Sequence, residues 1–178
     1  MDLYRALVER RSIRKYKPDP VSPEKVKKVL EAARIAPSWK NMQCWKFIVI
    51  SNVVRKEQLS ACLHEGNPAV RAIKTAPQVI ALCADPQESG NLDGKDYYLL
   101  DAGLAMQQLM LAAYAEGLGT CWVAWFDEAK ARAVLKSPPE YRIVAMTPLG
   151  VPETQSSPRP RKDLREIVYA EEWGQTWV

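Results

Sequence analysis

Apolar and polar positions change rhythm along this chain often enough to mark most of its elements. The most apolar stretch is residues 97–116. Leu100, Leu104, Leu111 and Ala115 fall near helical spacing there, and so do Gly103, Met106, Met110 and Ala113. Apolar residues on nearly every face predict a helix that must be covered on all sides. A chain of 178 residues covers part of it, and a partner subunit would cover the rest. Asp101, Gln107 and Gln108 interrupt the run, no basic loop flanks it and no second run accompanies it, which argues against a membrane span. Gly117 can supply the left-handed position that ends the helix. Residues 120–123 then read as a short strand, and Asp127 as the cap of a further helix.

The remaining elements follow from the same signals. Leu3, Ala6 and Leu7 put an apolar stripe on a first helix ending near Arg11. Ser22 before Pro23 is an N-cap signal, and Val26, Val29, Leu30 and Ala33 carry a second helix to about Ile35, stopped by Pro37. Residues 37–44 (PSWKNMQC) form a polar loop, and residues 47–50 a buried strand. Helices are predicted over 53–63 and 69–74, the latter capped by Asn67-Pro68, with a second buried strand over 78–83. Residues 85–95 read as a surface loop, 128–135 as a helix broken by Pro138-Pro139, and 141–149 as a strand. Residues 152–160 are too rich in proline for either regular element and predict an extended connector to a tail carrying Trp173 and Trp177. The helices cluster instead of alternating strictly with strands, which favours an α+β fold in one domain.

Composition changes this picture in one respect. Hydrophobic content is 47% and the net charge only +4, yet the cations are crowded. Arg10, Arg11, Arg14, Lys15 and Lys17 share one segment; Arg159, Arg161, Lys162 and Arg165 share another. Two clusters on a modest total charge suggest a local anion site. A nucleic-acid surface would interleave aromatic rings with the cations, and only Tyr16 does so, which argues against a nucleic-acid partner. Cys44, Cys62, Cys83 and Cys121 form no CxxC pair and lie in or beside apolar runs, as reduced core thiols do. The opening MDLYRALVERR reads as a charged helix and not as a signal peptide, so a cytoplasmic location is expected. No GxGxxG follows a strand and no phosphate loop of the GxxxxGK[ST] type occurs. With His64 as the single histidine and no GxSxG turn, neither a metal centre nor a serine hydrolase is expected.

Four segments remain: RRSIRKY at 10–16, PSWKNMQCWKF at 37–47, the apolar helix with GLGTCWVAWF, and PRPRKDLREIV at 158–168. In this order and spacing the chain resembles the flavin-dependent nitroreductase family in its short form. The resemblance implies a single domain over residues 1–178, with a central, mostly antiparallel sheet flanked by helices. It implies an intertwined homodimer with the long helix at its interface. Residues 152–178 would form an arm that wraps the partner and adds a strand to its sheet. Two FMN molecules would sit at the interface, each touched by both chains.

The resemblance also assigns roles. Arg10, Arg11 and Ser12 match the first phosphate segment, and Arg159 and Arg161 the second. Arg14 matches the cation beside the pyrimidine end of the flavin. Pro37, Ser38, Trp39, Asn41 and Gln43 match the loop that reaches the ring from the opposite subunit. Val123, Ala124 and Trp125 match the backbone passing the reactive N5 atom. Without the resemblance, the arginines would read as solvated faces and the loop side chains as turn caps. The chain departs from the family at Trp39-Lys40, where small residues are common, at Cys44, where proline is common, and at Trp125, where glycine is common. Trp39 and Trp125 therefore stand where they would narrow or cover the flavin face. Asn67 and Lys74 are the nearest candidates for a ring contact ahead of the second strand.

The implied activity is ping-pong, two-electron hydride transfer from NADH or NADPH to a small electron-poor acceptor such as a nitroaromatic or a quinone. The cofactor carries that chemistry, so no catalytic side chain is expected. Reductive dehalogenation or dehydrogenation on the same fold is the alternative among enzymes. A non-catalytic nucleic-acid-binding module is the alternative outside them.

Overall fold

The computed structural model describes residues 2–177. Helix α1 spans Leu3–Glu9, and Asp2 caps it by accepting the N–H of Arg5. It stops before Arg11 because Arg10 turns out of helical geometry (φ −57°, ψ 132°) and carries the chain into an extended run. Helix α2 spans Pro23–Arg34, with the Ser22 hydroxyl accepting from Lys25 N. Strand β1 covers Trp45–Ile50, two residues longer at its start than the apolar run suggests. Helix α3 (Val53–Ser60) is capped by Asn52 and ends three residues early. Helix α4 covers Val70–Thr75 and strand β2 Gln78–Ala84.

The stretch expected as plain loop contains a hairpin, β3 (Asn91–Leu92) and β4 (Lys95–Asp96). Its turn residues Asp93 and Gly94 both have positive φ (52° and 75°), the geometry that an Asp-Gly pair supplies to a two-residue hairpin turn. Helix α5 runs Tyr97–Ala115. Gly117 (φ 75°) ends it as expected: Leu118 N donates to Ala113 O and Gly117 N to Tyr114 O, both backbone bonds of a Schellman motif. Strand β5 is only Gly119–Thr120. The longer strand expected over 120–123 is interrupted because Cys121 N donates to the Thr147 hydroxyl instead of a backbone carbonyl. Val123 then rejoins, exchanging both backbone bonds with Met146. Helix α6 (Glu128–Leu135) is capped by Asp127, and strand β6 covers Arg142–Gly150.

The sheet is antiparallel throughout, in the order β1-β2-β6-β5. Alternate residues of β2 feed two cores. Ile80 and Leu82 meet α2 and α5 through Val29, Ala33, Met106 and Leu109. Val79, Ala81 and Cys83 meet Leu59 of α3, Ile73 of α4 and Ala131 of α6. A sheet covered on both faces explains why β2 reads as a continuous apolar run. The four cysteines are buried and unpaired.

Helix α5 buries Ala102, Ala105, Met106, Leu109 and Ala113 within its own chain. Its outer face is not covered: Leu100 is 55% exposed and Leu104 46%. Beyond β6, residues 153–167 lie on the surface, with Leu164, Ile167 and Trp173 all exposed. Among the described residues, no helix is long and apolar enough to cross a membrane.

Candidate functional site

After α1 the chain is extended and lies along β5. Ser12 pairs with Thr120, and Ile13 N donates to Thr120 O at 2.8 Å. Ile13 is buried against Gly119, where an added Cβ would stand 2.8 Å from the Ile13 side chain. Only glycine permits this approach. Extended backbone alternates its side chains, so with Ile13 turned inward Ser12 and Arg14 turn the other way. Tyr16 closes the segment: its hydroxyl, whose pKa burial raises far above the usual value, donates to Ile13 O at 2.6 Å.

The connector after β6 returns beside this segment. Lys17 N donates to Val151 O, Glu153 N to Lys15 O, and the Ser156 hydroxyl to Ser12 O. Two segments about 145 residues apart in sequence thereby enclose one cavity of about 280 Å³. Its walls are Arg10, Arg11, Ser12, Arg14, Ser156, Ser157, Arg159 and Arg161, and none of these described lining residues is acidic. Burial, followed by the neighbouring Arg11 and Arg161, lowers the pKa of Arg10. It stays a cation nonetheless.

Arginines of both basic clusters are therefore brought together, whereas Lys15, Lys17, Lys162 and Arg165 of the same clusters do not line this cavity. Arg11 spends Nη1 on the carbonyls of Val8 and Arg10, the orphan acceptors at the end of α1. Its Nε and the Nε of Arg14 are buried, and among the described residues neither has a hydrogen-bond partner. A buried donor left unmade is costly, and so is a set of like charges. A phosphate monoester carries nearly two negative charges at neutral pH and several acceptor oxygens, so it relieves both costs. The donor set fits a phosphate-bearing cofactor.

From Thr120 the chain leads away from this cavity toward residues 123–125. Val123 uses its own N–H and C=O on Met146, so a backbone donor from this segment comes from Ala124 or Trp125. Asn67 is nine-tenths buried, and it is committed internally. Its Nδ2 donates to Trp125 O at 2.7 Å and its Oδ1 accepts from Ala69 N. Asn67 thus ties residues 124–126 to its own loop, with one amide N–H and its carbonyl oxygen both engaged by backbone groups. Lys74 pairs with Glu57 on the exposed surface and does not line the arginine cavity. The His64 imidazole lies 5.9 Å from the Trp125 indole, centroid to centroid.

The loop at 37–44 contains a single helical turn over Trp39–Asn41. Lys40, Asn41 and Gln43 have positive φ (46°, 58° and 54°). Ser38 Oγ accepts from Gln43 N, and Gln43 Nε2 donates to Asn41. The Asp101 carboxylate, 2% exposed, anchors the loop: Oδ1 accepts from Trp39 N at 2.8 Å and Oδ2 from Ser89 Oγ at 2.9 Å. Burial and Asp101 push the Cys44 thiol up to about 11, so it keeps its proton and faces Asp101 Oδ2 at 3.8 Å. The Trp39 ring rests on Gly90, where a Cβ would stand 2.6 Å away, and tilts against Tyr97. None of Pro37, Ser38, Trp39, Asn41 or Gln43 lines the arginine cavity of its own chain.

Sequence reasoning did not single out Asp101, Ser156 or Ser157. Asp101 registered only as a break in an apolar run, although a carboxylate inside a buried helix face is rare unless it has partners. The two serines carry no signal until the connector is seen to fold back against Ser12.

The model of the Nitroreductase family matches residues 7–151. The chain is 33% identical over 177 residues to a Methanothermobacter thermautotrophicus protein named provisionally as an NADH dehydrogenase/NAD(P)H nitroreductase, covering 97% of this chain and 88% of the other. Among solved structures, a nitroreductase family protein of Clostridium novyi NT superposes with a TM-score of 0.83 at 37% identity, covering 99% of this chain and 98% of the other. An FMN-dependent nitroreductase of Clostridium difficile R20291 gives 0.81 at 29% identity, with 94% and 98% covered. Fold, motifs and matched length agree: the chain belongs to the nitroreductase family.

Proposed function

We propose that this protein is an FMN-dependent oxidoreductase that uses NADH or NADPH to reduce electron-poor acceptors such as nitroaromatics or quinones. One observation carries the reading: five arginines from two distant segments converge on a small cavity, two of them with buried Nε atoms that have no partner among the described residues. The family match and the FMN-dependent neighbour support the same cofactor. FMN, when bound, supplies the two-electron chemistry in ping-pong fashion, taking reducing equivalents from the nicotinamide and passing them to the acceptor.

The chain's own residues bind and orient. Arg10, Arg11, Ser12, Arg159 and Arg161 would hold the phosphate, with Ser156 and Ser157 as further hydroxyls. Arg14 would place a permanent charge beside the pyrimidine end of the ring. Ala124 and Trp125 would offer backbone N–H groups on a segment that Asn67 and Met146 hold rigid. Pro37, Ser38, Trp39, Asn41 and Gln43 would serve the site of the other subunit.

The assembly is a homodimer in this reading, and the chain a single cytoplasmic domain. The uncovered leucines of α5 supply an interface stripe. Residues 152–178 form the arm that wraps the partner, with Trp173 and Trp177 as anchors and the open edge of β1 as the place for an added strand. The test is the visible spectrum of the purified protein before and after anaerobic NADH or NADPH. A flavin spectrum bleached by the nicotinamide is expected, with FMN released on denaturation. A colourless protein that does not quench added FMN fluorescence would overturn the reading.

A further inference from the structure

We propose that Trp125 and His64 form a stacking platform for the planar, electron-poor acceptor, so that this site favours aromatic acceptors over compact ones. The inference rests on the flavin reading above and names the acceptor class it admits.

Three observations carry it. First, the Trp125 indole is 55% exposed although its backbone is rigidly held. Its carbonyl accepts from the nearly buried Asn67 amide, and the next residue, Phe126, is itself buried and bridges Leu63. The Asp127 N–H is donated to Cys62 O at 2.8 Å. An exposed tryptophan on a fixed segment keeps a large apolar face in water at a cost that a ligand ring removes.

Second, the loop over 62–67 that presents His64 is fastened to the same segment by those three contacts. The imidazole stands at 5.9 Å and 39° to the indole. Both residues are exposed, so the two tilted rings stand side by side at the surface. The backbones that carry both rings are therefore fixed relative to each other before a ligand arrives, which limits the ordering cost of binding.

Third, the location fits. Trp125 lies five residues beyond Thr120, which stands beside Ser12 at the wall of the arginine cavity. Extended backbone of that length reaches no more than about 18 Å. Under the flavin reading residues 123–125 are the segment that passes the reactive ring atom, and the exposed Trp125 ring stands on that segment. Indole is electron-rich, and a nitroaromatic or quinone ring is electron-poor, so their faces attract beyond simple area burial.

The experiment uses FMN-loaded wild type, Trp125→Ala, Trp125→Phe and His64→Ala. Binding of menadione to the oxidised holoenzyme is measured at equilibrium without any donor, by quenching of protein fluorescence and perturbation of the flavin spectrum. Turnover with menadione is compared with turnover with ferricyanide, which has no ring to stack. Trp125→Ala should weaken menadione binding roughly tenfold and lower the ratio of kcat/KM for menadione to that for ferricyanide by a similar factor. Trp125→Phe should restore most of both. His64→Ala, which leaves the Asn67 latch intact, should weaken menadione about two- to threefold. Unchanged menadione affinity in His64→Ala together with Trp125→Phe and Trp125→Ala would overturn the proposal. So would a loss confined to kcat/KM for NADH, which would assign the platform to the donor. Wild-type protein that binds no FMN would sink the flavin reading itself, whereas FMN-loaded variants with unaltered menadione affinity sink only the platform.

Discussion

The carboxylate of Asp101 and the backbone N–H of Trp39 meet at 2.8 Å across 62 residues of sequence. The same buried carboxylate holds Ser89 and Cys44, so one side chain on α5 fastens β1's leading loop to the turn before β3. The indole of Trp39, seated on Gly90, completes the joint. Asp101→Ala should therefore destabilise the protein by about 2–4 kcal/mol, because it leaves several buried donors unpaired and opens a void. Asp101→Asn keeps the shape and one acceptor oxygen, and should cost about half as much. Urea denaturation at fixed FMN concentration measures both. Equal stability of Asp101→Ala and wild type would show that the joint is not a structural anchor.

The arginine cavity makes a prediction about the ligand's phosphate. Arg161→Ala removes a cation whose partner would be that group, and hydrogen bonds to charged groups are worth about 1.5–3 kcal/mol. FMN affinity should fall roughly 10- to 150-fold. The affinity for riboflavin, which lacks the phosphate, should hardly change. Raising ionic strength should weaken FMN and spare riboflavin, since only the charged pair is screened. Fluorescence titration of apoprotein with both ligands reads all of this. Parallel losses for FMN and riboflavin would remove Arg161 from the phosphate.

Much of this arrangement was legible in the residues themselves. Local signals with a physical mechanism named the right places: Ser22 before Pro23, Gly117 after α5, Asp127 before α6. The short β5 was overestimated because Thr147 substitutes its hydroxyl for a ladder carbonyl, a choice made by a residue on another strand. The hairpin β3–β4 was missed because each strand has only two residues, too few for an alternation to register. At the site, charge crowding in two segments identified the arginines. The motif resemblance gave Arg14 its expected place beside the ring and brought in the loop at 37–43. Which side chains were already occupied needed three dimensions: Asn67 turned out to latch Trp125, and Lys74 to pair with Glu57. Trp39, a candidate cover for the flavin face, points its ring at its own chain's Gly90.

The surface residues after β6 make a prediction about assembly. Leu164, Ile167 and Trp173 are exposed, as are Leu100 and Leu104 on α5. Apolar groups in these numbers are expected to find cover, and large aromatic anchors dominate such contacts. Deleting the residues after Val168 should loosen the dimer and release FMN, because each site would be shared. Sedimentation at micromolar concentration, with flavin absorbance recorded alongside, reads both effects. A wild-type protein that sediments as a stable FMN-loaded monomer would overturn the shared site.

Arg14 separates charge at the ring from charge at the phosphate. It lines the same cavity as Arg10 and Arg161, yet its Nε is buried and, among the described residues, without a partner. A fixed guanidinium favours the more negative redox state of a bound flavin, as any preorganised charge does. If Arg14 acts on the ring, Arg14→Met should lower the two-electron potential with FMN affinity largely kept. A loss of about 1–2 kcal/mol in the reduced state corresponds to roughly 20–45 mV. If it acts on the phosphate, affinity should fall and the potential should barely move. A side chain that serves neither changes neither. Measuring the potential and the FMN dissociation constant of this one variant distinguishes the three, and an unchanged potential refutes the ring assignment.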